Sequence, residues 1–409
     1  MALVFQALHP DIELLGVTSV FGNATIDTTT RNALYLAGRF APGVPVARGA
    51  AAPLRRPAPE PLGGIHGDDG LGNTGLSVSV DVAAAPNLDA RPAHRFIIDT
   101  VRAHPHEITL LAVGPLTNLA HALAEDPQVA MLVKQVVIMG GAFGTAGVLG
   151  NVSPAAEANI AGDPDAADIV MSAPWPLAVV GLDVTQATIM TTEYLAALRD
   201  DAGEAGRFVW DVSRHYEAFH RASAGLAGIY VHDSSAVAYV VAPQLYRTRT
   251  GPVRVLTSGI AVGETIQKPA AMTVPAPDWD GRPPRDVCVG VDANALLALY
   301  RKTLVGLTGR RGPPPCHAAE ARIVCRKRSN VAAIRVRLLA LPRPRHPRCA
   351  GTRRRAASRR VCRPLRHSGA RSSRCTRRPR LSCRARRRQR AARARRPRAT
   401  RGASPSRLA

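Results

Sequence analysis

The hydrophobic positions of residues 1–307 fall into two alternating rhythms. Short runs rich in Val, Ile and Leu are followed by stretches whose apolar residues recur at helical spacing, with glycine or proline between them. Ile12–Phe21 predicts a buried strand, Asp27–Gly38 a helix stopped by glycine, and Pro45–Arg48 a short strand. Residues 50–75 are rich in Pro and Gly and predict a loop. Next come a helix over Ala93–Ala103, a strand over Ile108–Val113 and a helix over Leu116–Ala124. The strand Gln135–Met139 leads into Gly140-Gly141, ahead of a helix over Asp165–Met171 and a strand over Leu177–Leu182. Residues 193–222 predict one or two helices, Ser234–Val241 another and Asp292–Leu304 the last. Strands alternating with helices predict an α/β fold with an open, mostly parallel, doubly wound sheet. Such sheets take ligands in the loops that leave the strands.

Composition divides the chain near residue 307. Residues 1–307 carry 21 basic and 29 acidic side chains, as an ordinary acidic domain does, and are long enough to bury one large core. Residues 308–409 carry 33 Arg and one Lys against a single acid, Glu320, and no Phe, Tyr or Trp. A segment of that composition cannot bury enough apolar surface to fold, and a low-complexity, disordered tail is expected. The whole-chain charge of +25 is therefore a property of the tail alone. Only Cys288 lies in the first part, which suits a reducing, cytoplasmic compartment. The six tail cysteines have irregular spacings that match no zinc or disulfide framework. The start, MALVFQALHPD, has no basic leader region, and no apolar run is long enough to span a bilayer, so no membrane association is expected.

The candidate chemistry concentrates in GNVSPAAEANIAGDPDAAD, residues 150–168. If this stretch is extended, Glu157 and Asn159 point the same way, and Asn151 joins them from the preceding loop. Amide, carboxylate and amide together suit a polyhydroxylated ligand, whose hydroxyls both donate and accept. The competing reading is a loop whose polar residues satisfy their own turns. Four further segments carry polar residues after apolar runs: GVTSVFGN (16–23), IHGDDGLG (65–72), AVGPLTNL (112–119) and VHDSSAV (231–237). Each again has a plain alternative. Asp233 precedes a helical run and could be its N-cap, His232 could be a satisfied loop histidine, and Thr117-Asn118 could cap the helix after Pro115. Asp68 and Asp69 could be metal ligands or turn residues.

In order and rough spacing these segments resemble the inosine–uridine-preferring nucleoside hydrolases, from about residue 3 to about residue 305. The resemblance implies hydrolysis of the N-glycosidic bond of ribonucleosides through an oxocarbenium-like transition state, with Ca²⁺ as cofactor. It implies that Asp233 binds the ion and touches the ribose, and that Thr117 offers its backbone carbonyl to the same ion. Asn159 would hold the 2′/3′ side of the sugar, Asn151 and Glu157 the 5′-hydroxyl, and Met139 would line the sugar pocket. His232 would be the leaving-group acid. His66 would sit at the base, with Asn23 nearby and Tyr216 and Tyr230 as stacking candidates. A homodimer or homotetramer is implied. The family pattern also opens on a D-x-D-x-G-x-D-D loop that supplies the general base and further ion ligands, and no such motif occurs in this sequence. Two expectations follow: the chain as written is short of catalytic groups, and Met1 is an internal methionine of a longer reading frame. The Arg-rich tail is expected to be a frameshift or readthrough product. The alternatives are a non-catalytic nucleoside- or ribose-binding remnant, and a nucleic-acid binder acting non-specifically through the tail.

Overall fold

The computed structural model describes residues 1–306 and the strand Ala333–Val336. The rest of residues 307–409, and with it the expectation of a disordered tail, lies outside the described residues.

The central sheet runs Ile12–Leu14, Ala333–Val336, Thr109–Ala112, Gln135–Met139, Leu177–Val180, Arg285–Val291, Tyr246–Gly251. The four strands from Thr109–Ala112 to Arg285–Val291 are parallel, and antiparallel pairs close both sides. Every side chain of Leu177–Val180 is buried, as are the last four of Gln135–Met139. Burial on both faces is why these segments read as unbroken apolar runs. Their alternate residues feed opposite cores. Val136, Ile138, Leu177 and Val179 pack with Phe96, Leu119, Met171 and Trp175. Val137, Met139, Ala178 and Val180 pack with Phe5, Leu198, Phe208, Val237 and Tyr300. Helices thus cover both faces, and the doubly wound α/β sheet expected from the sequence is present, with antiparallel edges added.

Several elements differ from the sequence reading. Ile12–Phe21 is not one strand. It breaks around Gly16, so that Ile12–Leu14 joins the central sheet while Val17–Thr18 pairs in parallel with Val46–Ala47, which in turn pairs with Leu88–Asp89. A cavity of about 290 Å³ separates Val17, Thr18 and Val20 from Leu110–Val113. The loop 50–75 contains one helical turn, Gly63–His66. The strand from Leu177 stops at Val180, because Gly181 opens the short helix Leu182–Thr185. Residues 193–222 form two helices, Thr192–Asp201 and Gly203–Ala224. No helix among the described residues is long and apolar enough to cross a membrane.

Candidate active site

One cavity of about 390 Å³ opens where the parallel strands end, and eight of the nine singled-out residues line it: Asn23, His66, Met139, Asn151, Glu157, Asn159, His232 and Asp233. The ninth, Thr117, does not. It is fully buried at the start of the helix Thr117–Glu125, and its hydroxyl donates to Asp163 Oδ2 at 2.7 Å.

The polar trio is built by a turn and a helix start rather than by an extended segment. Glu157 is the N-cap of the short helix Ala158–Gly162. Its carboxylate accepts from Asn159 N–H at 3.0 Å, Ile160 N–H at 3.1 Å and Gly141 N–H at 3.0 Å. Gly141 reaches it only through a left-handed turn, φ +76°, that glycine adopts freely. At 2 % exposure, burial pushes the Glu157 carboxyl up to about 7, against three N–H donors that favour the charged form. Asn159 donates from Nδ2 to Met139 O at 3.0 Å, which leaves its Oδ1 for a ligand. Asn151 accepts from Ala158 N–H at 3.0 Å and so pins the loop to the helix start. Polar residues therefore do satisfy their own turn here, and they face the cavity as well.

Asp233 is the first residue of the helix Asp233–Val241, and its side chain caps nothing. The helix N-terminus favours its charge, while burial at the cavity wall raises its carboxyl to about 6. His232 precedes it, with Nδ1 2.8 Å from Thr185 Oγ1. Burial lowers the His232 imidazole to about 3. His66 is lowered to about 4 by burial, with His215 and His220 adding like charge. Its loop is organised by Asp69, whose carboxylate accepts from Leu71 N–H at 2.7 Å, Asn73 N–H at 2.8 Å and Gly75 N–H at 2.8 Å. Asp69 is a turn residue rather than a cavity-lining one.

The helix Gly203–Ala224 completes the wall. Tyr216 stacks on His66, ring centroids 5.2 Å apart and 26° between planes. His220 packs edge-on to Tyr216 at 4.3 Å and to Tyr230 at 4.9 Å. His220 was missed in the sequence. The i, i+4 spacing of Tyr216 and His220 on one helix face was the available signal.

A scan for known families matches residues 1–298 to the inosine-uridine preferring nucleoside hydrolases. The chain belongs to this family. A probable uridine nucleosidase 1 of Oryza sativa subsp. japonica is 38% identical over 307 residues, covering 75% of this chain and 92% of that one. The pyrimidine-specific ribonucleoside hydrolase RihB of Escherichia coli O157:H7 is 36% identical over 267 residues, 65% of this chain and 82% of that one. Among solved structures, a plant nucleoside hydrolase, PpNRh1, superposes with a TM-score of 0.67 at 36% identity, covering 74% of this chain and 94% of that one. A purine-preferring ribonucleoside hydrolase from Gardnerella vaginalis superposes at 0.66 with 32% identity, covering 75% and 94%. The family's chemistry is N-glycosidic hydrolysis of nucleosides, and its members bind a metal ion. The described residues fit such an ion poorly, since they contain no group of three or more His, Cys, Asp or Glu able to hold one. Calcium takes roughly 6–8 oxygens, and among the expected ligands only Asp233 faces the cavity.

Proposed function

We propose that the cavity holds a ribonucleoside, with the sugar against Asn151, Glu157, Asn159 and Met139 and the nucleobase between His66, Tyr216, His220 and His232. The reaction is hydrolysis to ribose and free base. The observation that carries this reading is the convergence of sugar-binding and base-binding side chains on one cavity of about 390 Å³, a size suited to a small ligand. Asn159 Oδ1 and Glu157 orient the ribose hydroxyls. The Asp233 carboxylate faces the ring on which positive charge develops as the bond breaks. His232 and His66 contribute ring N–H groups at the leaving base. The two histidines, and the uridine and pyrimidine hydrolases among the relatives, support a pyrimidine or mixed preference.

The ion implied by the resemblance is Ca²⁺. Because the described ligand set does not fill a calcium shell, each step above is assigned to the chain's own side chains. The same shortage favours a second reading: a nucleoside- or ribose-binding protein without turnover. Release of ribose from uridine, cytidine and inosine, measured with and without added Ca²⁺, separates the two when paired with calorimetric binding of the same nucleosides. Binding with no ribose release selects the second reading. Neither binding nor release defeats both. We further propose that residues 1–307, joined in the central sheet by the strand Ala333–Val336, form the catalytic domain and assemble as a homodimer or homotetramer, which sedimentation reads directly.

A further inference from the structure

Among the described residues, the imidazole of His232 has one hydrogen-bond partner. Thr185 Oγ1 lies 2.8 Å from Nδ1. Thr185 ends the short helix Leu182–Thr185 and is fully buried. Backbone bonds brace both halves of the pair. Thr185 N–H donates to Gly181 O at 3.1 Å, and Val231 N–H, one residue before His232, donates to Thr188 O at 3.0 Å. The ring itself lines the cavity.

A hydroxyl beside an imidazole is ambiguous in isolation, because either can donate. Burial removes the ambiguity. Thr185 Oγ1 makes no second hydrogen bond among the described residues. If Nδ1 carried the ring proton, the hydroxyl hydrogen would be buried with no acceptor, which native structures avoid. If the hydroxyl donates instead, Nδ1 accepts, both buried groups are satisfied, and the ring proton sits on Nε2. The bond also restrains the ring, so the opposite nitrogen points away from Thr185.

We propose that Thr185 is a positioning residue: its hydroxyl holds His232 as the neutral Nε2–H tautomer and turns that N–H into the cavity. The consequence for chemistry rests on the nucleoside-hydrolysis reading above. When the N-glycosidic bond breaks, its electron pair passes to the nucleobase, and the His232 Nε2–H donates a hydrogen bond to the base as that negative charge grows; water bonds to the ribose carbon and the proton it releases completes the free base. The ring acts as a fixed donor rather than as a charged acid.

The test is ¹⁵N NMR of the histidine ring nitrogens in the full chain without ligand, with His232→Gln to assign the signal. Wild type is expected to show protonated Nε2 and acceptor Nδ1, and Thr185→Ser the same. Thr185→Val keeps the volume, loses the hydroxyl, and is expected to shift the tautomer ratio about tenfold towards Nδ1–H, the worth of one hydrogen bond. A wild-type ring protonated on Nδ1, or an unchanged ratio in Thr185→Val, overturns the proposal. The wild-type spectrum alone decides if the valine variant fails to fold. In a hydrolysis assay Thr185→Val should lower kcat about tenfold with little change in KM, and Thr185→Ser should restore it. A chain that releases no ribose but shows the Nε2–H ring refutes the function and leaves the tautomer assignment standing. An active chain with the Nδ1–H ring does the reverse.

Discussion

Glu157 shows how one side chain can be a structural cap and still line a cavity. Its oxygens already accept three backbone N–H groups, so the proposed sugar would meet a carboxylate with little acceptor capacity left. The balance between burial and those donors has a measurable sign. A carboxyl raised to about 7 in the folded protein, against an ordinary value near 4.5, stabilises the fold most when protonated. That contribution is complete below about pH 4.5 and is lost as pH rises through 7. A shift of this size corresponds to roughly 3 kcal/mol. Denaturant unfolding of wild type and Glu157→Gln from pH 4.5 to 7.5 should therefore show wild type losing stability relative to the variant as pH rises. Parallel curves would refute the raised carboxyl. Asn159 makes a different case. It uses Nδ2 on Met139 O and keeps Oδ1 free, so Asn159→Asp removes a donor and adds a half-buried charge. Nucleoside affinity, read by calorimetry, should fall about tenfold or more. Unchanged affinity would remove Asn159 from the sugar site.

At the scale of elements, the site depends on how the helix Pro164–Ser172 and the strand Arg285–Val291 meet. Arg285 is 1 % exposed and has no carboxylate partner among the described residues. Its guanidinium donates to Met171 O and Trp175 O at 2.7 Å and also to Ala173 O. The Met171 and Ala173 carbonyls lie at the end of the helix, where a cation is favoured by the dipole. Arg285→Ala leaves those buried carbonyls unpaired. It should destabilise the protein by about 3 kcal/mol or more, measured by thermal or urea unfolding. Wild-type stability in that variant would show the arginine to be dispensable. Gly181 is a second constraint. A Cβ there would lie 2.7 Å from Gly141 O, so Gly181→Ala must push apart the Gly140-Gly141 turn and the helix that carries Thr185.

Three of the four strands of the parallel core were legible because burial on both faces leaves them almost wholly apolar, whereas Arg285–Val291, which opens on Arg285-Asp286, was not read. Ala93–Ala103 and Gln135–Met139 have the same bounds in sequence and structure. Tyr246–Gly251 was not read, because YRTRTG buries only Tyr246 and Gly251, and its partner lies some forty residues on. The 151–159 trio was legible as a set but not as a shape. The alternation of an extended segment and the first turn of a capped helix both bring Glu157 and Asn159 to one side, and sequence spacing does not distinguish them.

At the scale of the whole molecule the chain joins two unlike polymers. Residues 1–307 carry an excess of acid, whereas the following residues carry 34 basic side chains and one acidic one. The strand Ala333–Val336, between Ile12–Leu14 and Thr109–Ala112, comes from this basic part. Electrostatics separates what the two parts bind. A neutral nucleoside in a cavity lined by Asn, His and Tyr owes little to long-range charge, so its affinity should be nearly independent of salt. A dense arginine run neutralises phosphates and releases counterions, so its affinity for any duplex should fall steeply as salt rises, whatever the base sequence. Without aromatic side chains it has no stacking platform with which to prefer one single-stranded sequence over another. Fluorescence anisotropy of an arbitrary DNA duplex, measured from low to physiological salt, should show tight, salt-sensitive binding by the full chain and none by a chain ending at residue 341, which keeps the strand Ala333–Val336. Nucleoside binding by the shortened chain should persist. Duplex binding that survives the deletion would place the contact on residues 1–341, whose 29 basic and 30 acidic side chains give no reason for it.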